Sequence, residues 1–241
     1  NHRQIFVVND DGTDLRQITD DSNNYMQPQW STHDEALVYM RRSTDLTQVY
    51  MINTDGTDPQ LVYQTTLPFG DEPPRWGGGQ NILLSYTETL PEDGFQQHDV
   101  YIHDPYNETV LQVTENIGYD GHAFWLNHYR LSKIVWHSVH GGQSGIYVMD
   151  IIGDDADAKL ISENGAFDPV PNHRQDRILY QTLTDGRARL ITTDINGDNT
   201  RLIVEEDRRM LYPQWSHDDS RIAYTIQQAD NRFNLIIVDV A

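Results

Sequence analysis

One short run of β-branched and aromatic residues ending near Asp or Asn recurs along the whole chain. Its copies are Ile5-Phe6-Val7-Val8-Asn9, Val49-Tyr50-Met51-Ile52-Asn53, Val100-Tyr101-Ile102-His103-Asp104, Ile146-Tyr147-Val148-Met149-Asp150, Leu190-Ile191-Thr192-Thr193-Asp194 and Leu235-Ile236-Ile237-Val238-Asp239. Their starts lie 44, 51, 46, 44 and 45 residues apart. Composition alone does not produce six copies at a near-constant step, so a repeated unit builds the chain.

Each copy carries further landmarks in the same phase. After the run comes a turn rich in Asp, Asn and Gly: Asn9-Asp10-Asp11-Gly12, Asn53-Thr54-Asp55-Gly56, Asp194-Ile195-Asn196-Gly197. Such pairs supply the positive φ that tight hairpins need. A second short strand follows, then a polar loop leading to Pro28-Gln29-Trp30-Ser31, Pro74-Arg75-Trp76, Phe124-Trp125, Pro169-Val170-Pro171 or Pro213-Gln214-Trp215-Ser216, and then a further strand such as Ala36–Met40 or Ile222–Ile226. Four short strands per period of about 46 residues, with no helical periodicity between them, predict an all-β propeller of four-stranded antiparallel blades. One twisted sheet cannot bury both its faces. Radial stacking lets each blade cover the next. Helical solenoids and parallel sheets fail for want of helices.

With strands labelled A to D, the Trp segment as A and the Ile-Tyr-Val run as C, the chain reads CD, four complete units, then ABC. That is 21 strands. Six blades with strands missing at the ends, or five blades, both accommodate them, and six is preferred. Residues 1–241 form a single domain, with repeat units near 5–48, 49–99, 100–145, 146–189, 190–234 and a partial 235–241. The chain opens on Asn1 with no initiator Met or leader peptide, which reads as a trimmed or incomplete chain.

The segments Ile146-Tyr147-Val148-Met149-Asp150, Asn53-Thr54-Asp55-Gly56-Thr57-Asp58 and Pro213-Gln214-Trp215-Ser216-His217-Asp218-Asp219-Ser220-Arg221-Ile222-Ala223-Tyr224 resemble the WD-like repeat of TolB C-terminal domain propellers. The likeness covers essentially all 241 residues. It departs where Thr32-His33-Asp34, Arg174-Gln175-Asp176 and His217-Asp218-Asp219 replace the Pro-Asp-Gly turn, and where Pro171 stands for Trp. The resemblance implies six blades, a bacterial origin, a periplasmic or extracellular location, and a role in protein–protein interaction.

The formal charge of −20, from 37 acidic and 17 basic residues, disfavours nucleic acid and anionic membranes as partners. No apolar run is long enough to span a bilayer. With no cysteine, disulfides, thiolate zinc sites and cysteine nucleophiles are excluded together.

In a propeller the D–A and B–C loops surround the mouth of the central channel, and loops of that kind carry function. Here they hold acids beside aromatics: Tyr25, Phe69 with Asp71 and Glu72, Tyr119 with Asp120 and His122, Phe167 with Asp168, Tyr212, and Phe95 in the long loop Thr87–Asp99 that also brings Glu88, Glu92, Asp93 and His98. Such a rim suits a cation, a sugar or a basic peptide segment. Turn chemistry equally accounts for Asp before Pro or Gly. The Trp residues of the A strands read as core between blades. The pair His137-x-x-His140 points its rings to opposite faces of a strand, which disfavours zinc. His33 and His217 occupy matching turns. The acidic hairpin from Asn9 lacks the EF-hand glutamate, so calcium would be incidental, and no cofactor is expected. There is no Gly-x-Ser-x-Gly motif; Gly142-Gln143-Ser144-Gly145 falls one position short.

The residues therefore predict a non-enzymatic binding scaffold, acting as a monomer, that takes a protein or peptide with basic segments. The alternatives are the substrate-gating or carbohydrate- or peptide-processing propeller of a larger enzyme, with Asp71, Asp120 and Asp168 converging, or the sensor domain of a surface or signalling protein.

Overall fold

The computed structural model describes residues 2–31, 35–67, 69, 72–77, 81–87, 97–115, 118–126, 133–151, 158–228 and 232–240. All described regular structure is β-strand. No helix among the described residues is long and apolar enough to cross a membrane. The chain divides into two compact units, Asn1–Leu131 and Ser132–Ala241.

The first unit opens with a two-stranded ribbon, β1 (Phe6–Val7) and β2 (Arg16–Gln17). Two four-stranded antiparallel sheets follow: β3 (Asn24–Trp30), β4 (Ala36–Arg42), β5 (Thr47–Asn53), β6 (Gln60–Thr65); then β7 (Arg75–Trp76), β8 (Ile82–Tyr86), β9 (Asp99–Asp104), β10 (Thr109–Gln112). The unit closes with β11 (Tyr119–Leu126), which packs on β7, β8 and β9. The second unit holds β12 (Lys133–His140), β13 (Gln143–Asp150) and β14 (Lys159–Leu160). It continues with the four-stranded sheet β15 (Ala166–Pro171), β16 (Arg177–Thr184), β17 (Arg187–Asp194), β18 (Arg201–Glu206). The three-stranded sheet β19 (Met210–Trp215), β20 (Arg221–Gln227), β21 (Phe233–Asp239) ends it. The strands come in the order of the repeat and make five sheets of three or four strands among the described residues, so the five-bladed alternative holds in place of the preferred six.

Sheet faces become the core because alternation puts β-branched and aromatic side chains on both sides of each middle strand. In the first unit Val38, Met40, Val49 and Met51 of one sheet meet Trp76, Leu84, Tyr86 and Tyr101 of the next. In the second, Leu179 and Leu190 meet Ile222, Tyr224 and Ile226. Trp76, Trp125 and Trp215 are buried, but Trp30 is 49 % exposed. The reason is visible in the indole contacts. Trp125 Nε1 donates to the carbonyl of Arg75 at 3.4 Å, and Trp215 Nε1 to that of Val170 at 3.0 Å. Each lies on the preceding inner strand. Among the described residues the sheet before Trp30 is the ribbon β1–β2, which brings no inner strand against the ring.

The turns after the Ile-Tyr-Val strands are built as the sequence predicts. Gly56 N donates to Asn53 O at 2.9 Å, and Asp55 Oδ1 accepts from Thr57 N and Thr57 Oγ1 at 2.9 and 2.6 Å. The turn at Asn9 repeats these bonds through Asp11 and Thr13, with Gly12 N on Asn9 O at 2.9 Å. Gly12, Gly56 and Gly197 sit at φ between 81 and 85°, where a side chain would be strained.

His173 and His217, 5.1 Å apart, lie in neighbouring A–B turns of the second unit. The turns are clamped by Asp219, which accepts from Asn172 Nδ2, His173 N and Arg174 N at 3.0, 2.8 and 3.1 Å. Its side chain is 8 % exposed. Asp219→Ala strands these donors and is expected to lower stability by about 2 kcal/mol, read from the urea midpoint of the second unit's transition. An unchanged midpoint would mean the clamp holds nothing.

Candidate functional site

Four inner strands share one irregularity. A bulge interrupts the pairing of β3 with β4 between Met26 and Gln29, of β15 with β16 between Phe167 and Val170, and of β19 with β20 between Leu211 and Gln214. Within each bulge a non-glycine residue is left-handed: Gln27 (φ 55°), Asp168 (φ 52°) and Tyr212 (φ 53°). In β11 His122 holds the same conformation at φ 48°. Bulges re-aim side chains and cluster beside functional sites, and left-handed non-glycine residues persist only where their surroundings enforce them. Three of the four were picked out from sequence. Gln27 was not, because its neighbour Tyr25 carried the aromatic signal.

The first unit brings several titratable side chains together around Glu72. The Glu72 carboxylate accepts from the Tyr119 hydroxyl and, at 2.5 Å, from the backbone N–H of His122. The His122 ring stands 3.7 Å away at Nε2. His98 stacks on Tyr119 with centroids 5.1 Å apart, and its carbonyl accepts from Asp120 N at 2.7 Å. A side chain on Gly121 would come within 2.5 Å of both the Glu72 carboxylate and the Tyr119 hydroxyl, so glycine is required for this approach.

Burial sets the charge state of the group. His98 is buried, its Nε2 has no hydrogen-bond partner, and desolvation holds its pKa down against the pull of Glu72 and Asp120. Burial pushes Asp99 up to about 6, with the charge of Asp120 adding to the shift and hydrogen bonds from Thr114 and Gln97 opposing it. Arg75 lies 3.9 Å over the Phe124 ring; burial brings its pKa down to about 10, opposed by Glu72. Three carboxylates, Glu72, Asp99 and Asp120, thus gather with one guanidinium, Arg75, and two imidazoles, His98 and His122.

The other expected residues scatter. Tyr25 gives its hydroxyl to Asp21 Oδ2 at 2.8 Å and packs edge-on to Tyr39, a structural brace. Phe69 stacks with Tyr86 in the core. Phe167 is half-buried near His137, Asp168 accepts from Gln181 Nε2 at 3.1 Å, and Tyr212 is 78 % exposed. Asp71, Phe95, Glu88, Glu92, Asp93 and His33 lie outside the described residues. Arg75 and Asp99 escaped sequence reasoning, since nothing in an Arg before Trp or an Asp opening a strand announces burial.

His137 Nε2 lies 2.8 Å from Ser144 Oγ, a spacing that suggests nucleophile and base. Ser144 Oγ, however, donates its proton to Ala166 O at 2.7 Å, so the imidazole must be the donor. That polarity is wrong for activating a hydroxyl. Among the described residues no three His, Cys, Asp or Glu side chains are placed to hold a metal ion.

No family model matches the sequence. Solved structures do match the fold. TolB from Acinetobacter baumannii superposes with a TM-score of 0.73 at 15 % identity, over 98 % of this chain and 57 % of its own. The fold is a TolB-like β-propeller. The β-propeller domain of the Trilobed protease from Pyrococcus furiosus gives 0.70 at 17 % identity, over 99 % of this chain and 75 % of that one. The acylaminoacyl peptidase of Pyrococcus horikoshii gives 0.70 at 13 % identity, over 98 % and 41 %. The chain therefore spans little more than half of the TolB it matches. At these identities the likeness describes architecture and leaves activity to the residues.

Proposed function

We propose that this TolB-like propeller is a non-catalytic binding module, periplasmic or extracellular, that takes a basic segment of a protein partner. The observation that carries the reading is the repeated left-handed residue of the inner strands, within a bulge at Asp168 and Tyr212 and recurring at His122, where the fold accepts backbone strain to hold these side chains in place. In the first unit His122 sits against Glu72, and His98 feels the charges of Glu72 and Asp120; in the second, Tyr212 offers its ring to water. Carboxylates with aromatic faces suit Lys and Arg, through charge and through the ring quadrupole. The net charge of −20 draws such a segment in from a distance.

An octapeptide of alternating Arg and Gly tests this by fluorescence anisotropy. Its affinity is expected to fall by roughly tenfold between 25 and 250 mM salt. Tyr212→Gly should weaken binding severalfold while leaving stability unchanged or raised by about 1 kcal/mol, since glycine accepts the left-handed conformation freely. A purely structural tyrosine would give the opposite pair of results. Binding that ignores both salt and Tyr212 would overturn the reading.

A second reading, the propeller portion of a larger hydrolase, draws on the 41 % of the Pyrococcus peptidase that the chain spans. On that reading the nucleophile lies elsewhere in the parent protein, because Ser144 is turned away from the task. A fluorophosphonate that labels these 241 residues would refute this assignment.

A further inference from the structure

The two units fill the same space between successive sheets with different side chains. In the first, Tyr63 of β6 reaches the next sheet and stacks on Tyr86 with centroids 4.3 Å apart, and Tyr86 stacks in turn on Tyr101 at 4.1 Å. Phe69 and His103 lie against the same rings. The strand registers give each its counterpart in the second unit. Tyr101 and His103 match Ile191 and Thr193 in the recurring run. Tyr86 pairs with Asp99 and Thr182 with Arg189, each just ahead of that run, so Thr182 stands for Tyr86 and Tyr180 for Leu84. Phe69 pairs with Tyr86 and Ala166 with Thr182. Leu61 opposite Tyr50 matches Leu160 opposite Tyr147, which sets Ser162 in the place of Tyr63.

Every ring of the first cluster therefore has a smaller, non-aromatic counterpart. Beside Ser162 a cleft of about 520 Å³ opens between β14 and the sheet β15–β18, with Leu160, Ile191 and Leu202 as its apolar wall. That volume suits a small ligand. Buried hydroxyls are normally bonded, and two here are not. Tyr180 lines the cleft at 1 % exposure, and its hydroxyl has no hydrogen-bond partner among the described residues. Thr182, two residues on and on the same face, is fully buried with Oγ1 unpartnered. Burial, and then the charge of Glu163, push Tyr180 up to about 12, so its hydroxyl keeps the proton to donate. Arg189, the cation of the lining, is already bonded to Glu205 at 2.7 Å, so the cleft does not select an anion. One end is shut. Lys159 Nζ donates to Asn196 O at 2.8 Å, and a side chain on Gly197 would come within 2.9 Å of Ile161 O. An extended chain cannot run through, whereas a compact molecule can enter.

The geometry points to this cleft as a binding site for a free, neutral phenol, whose flat ring takes the place that the Tyr63 ring holds in the first unit. Tyr180 donates to the phenol oxygen, and the phenol hydroxyl donates to the Glu163 carboxylate. Leu160, Ile191 and Leu202 cover the ring, so area supplies the affinity and the two polar groups fix the orientation. None of these residues belongs to the bulges, and the site stands apart from the reading above.

The probe is p-cresol, titrated into the 241-residue protein and followed by amide chemical shifts. Saturable shifts are expected at Ser162, Tyr180, Ile191 and Leu202 at millimolar p-cresol, and none at Tyr63 or Tyr86, whose space is filled. Tyr180→Phe removes one hydroxyl; it should weaken p-cresol about tenfold and leave toluene unchanged. Ser162→Tyr restores the ring of the first unit and should abolish binding of both. If that variant does not fold, Tyr180→Phe decides alone. Cyclohexanol, which has the hydroxyl without the flat ring, should bind at least tenfold more weakly than p-cresol. Tyr212→Gly should change nothing, which separates failure here from failure of the bulge site. No shifts in the cleft, equal binding of p-cresol and cyclohexanol, or indifference to Tyr180→Phe would each overturn the proposal. So would N-acetyltyrosinamide binding tenfold tighter than p-cresol, which would make the occupant a partner's tyrosine side chain.

Discussion

Trp125→Ala is expected to be among the most damaging single substitutions in the first unit, costing about 3–5 kcal/mol. The indole is 1 % exposed, fills the space between β11 and the sheet β7–β10, and gives Nε1 to Arg75 O. Truncation opens a cavity and strands a backbone acceptor. The argument has a second arm in Gly77. A Cβ there would come within 2.6 Å of the Trp125 ring at Cε2 and Nε1. Gly77→Ala alone therefore overpacks the site, at about 1–3 kcal/mol. In a Trp125→Ala background the same methyl enters empty space, and its cost should vanish or change sign. The double-mutant cycle, measured by urea denaturation of the first unit's transition, decides the matter. Additive effects would show that the two residues do not share the volume assigned to them.

Acid should destabilise the protein through His103, and the size of the effect is calculable. The ring is 4 % exposed and bonds the Tyr86 hydroxyl at Nε2, 3.1 Å away. Burial lowers its pKa to about 4. The unfolded chain takes up the proton near 6.5, so between about 6.5 and 4 it binds more protons than the folded state. Stability is therefore intact above pH 6.5 and is lost as pH falls toward 4. The loss approaches about 3 kcal/mol once both states are protonated. His98 acts in the same direction. Asp99 acts against them: its raised pKa of about 6 keeps a proton on the folded state, so its contribution grows as pH falls through that value. Only a comparison with His103→Gln isolates the histidine. That variant keeps a bond for Tyr86 and cannot titrate. Its stability relative to the parent should improve by about 2 kcal/mol on passing from pH 7.5 to pH 4.5. An equal difference at the two pH values would remove His103 as the cause.

The architecture was legible because it is written redundantly. Six copies of one strand and a recurring turn place the strands almost unaided, and local bonds such as Asp55 to Thr57 need no tertiary information. The candidate site was legible only in part. Glu72, Tyr119, Asp120 and His122 were named as members of two separate loops flanking inner strands, and in the structure Glu72 bonds the Tyr119 hydroxyl and the His122 amide. Tyr25 and Phe69 carry the same aromatic signal but are spent on packing, a distinction that depends on which ring lies opposite. Arg75 and Asp99 become notable only through burial, which is a property of the assembled sheets. Trp30 shows the reverse error. A residue in perfect phase with its repeat is exposed because its cover belongs to a different element.

The tight turns after the Ile-Tyr-Val strands bear on how the protein ages. Asp-Gly and Asn-Gly are the pairs most prone to cyclise, through attack of the glycine nitrogen on the preceding side chain. In the turns at Asn9, Asn53 and Asp194 that nitrogen is already committed, with Gly12, Gly56 and Gly197 each donating to a carbonyl 2.9–3.0 Å away. Deamidation of Asn196 and isomerisation of Asp11 and Asp55 must therefore wait for local opening. Their rates become a slow chemical clock for the loosening of single hairpins in an otherwise folded molecule.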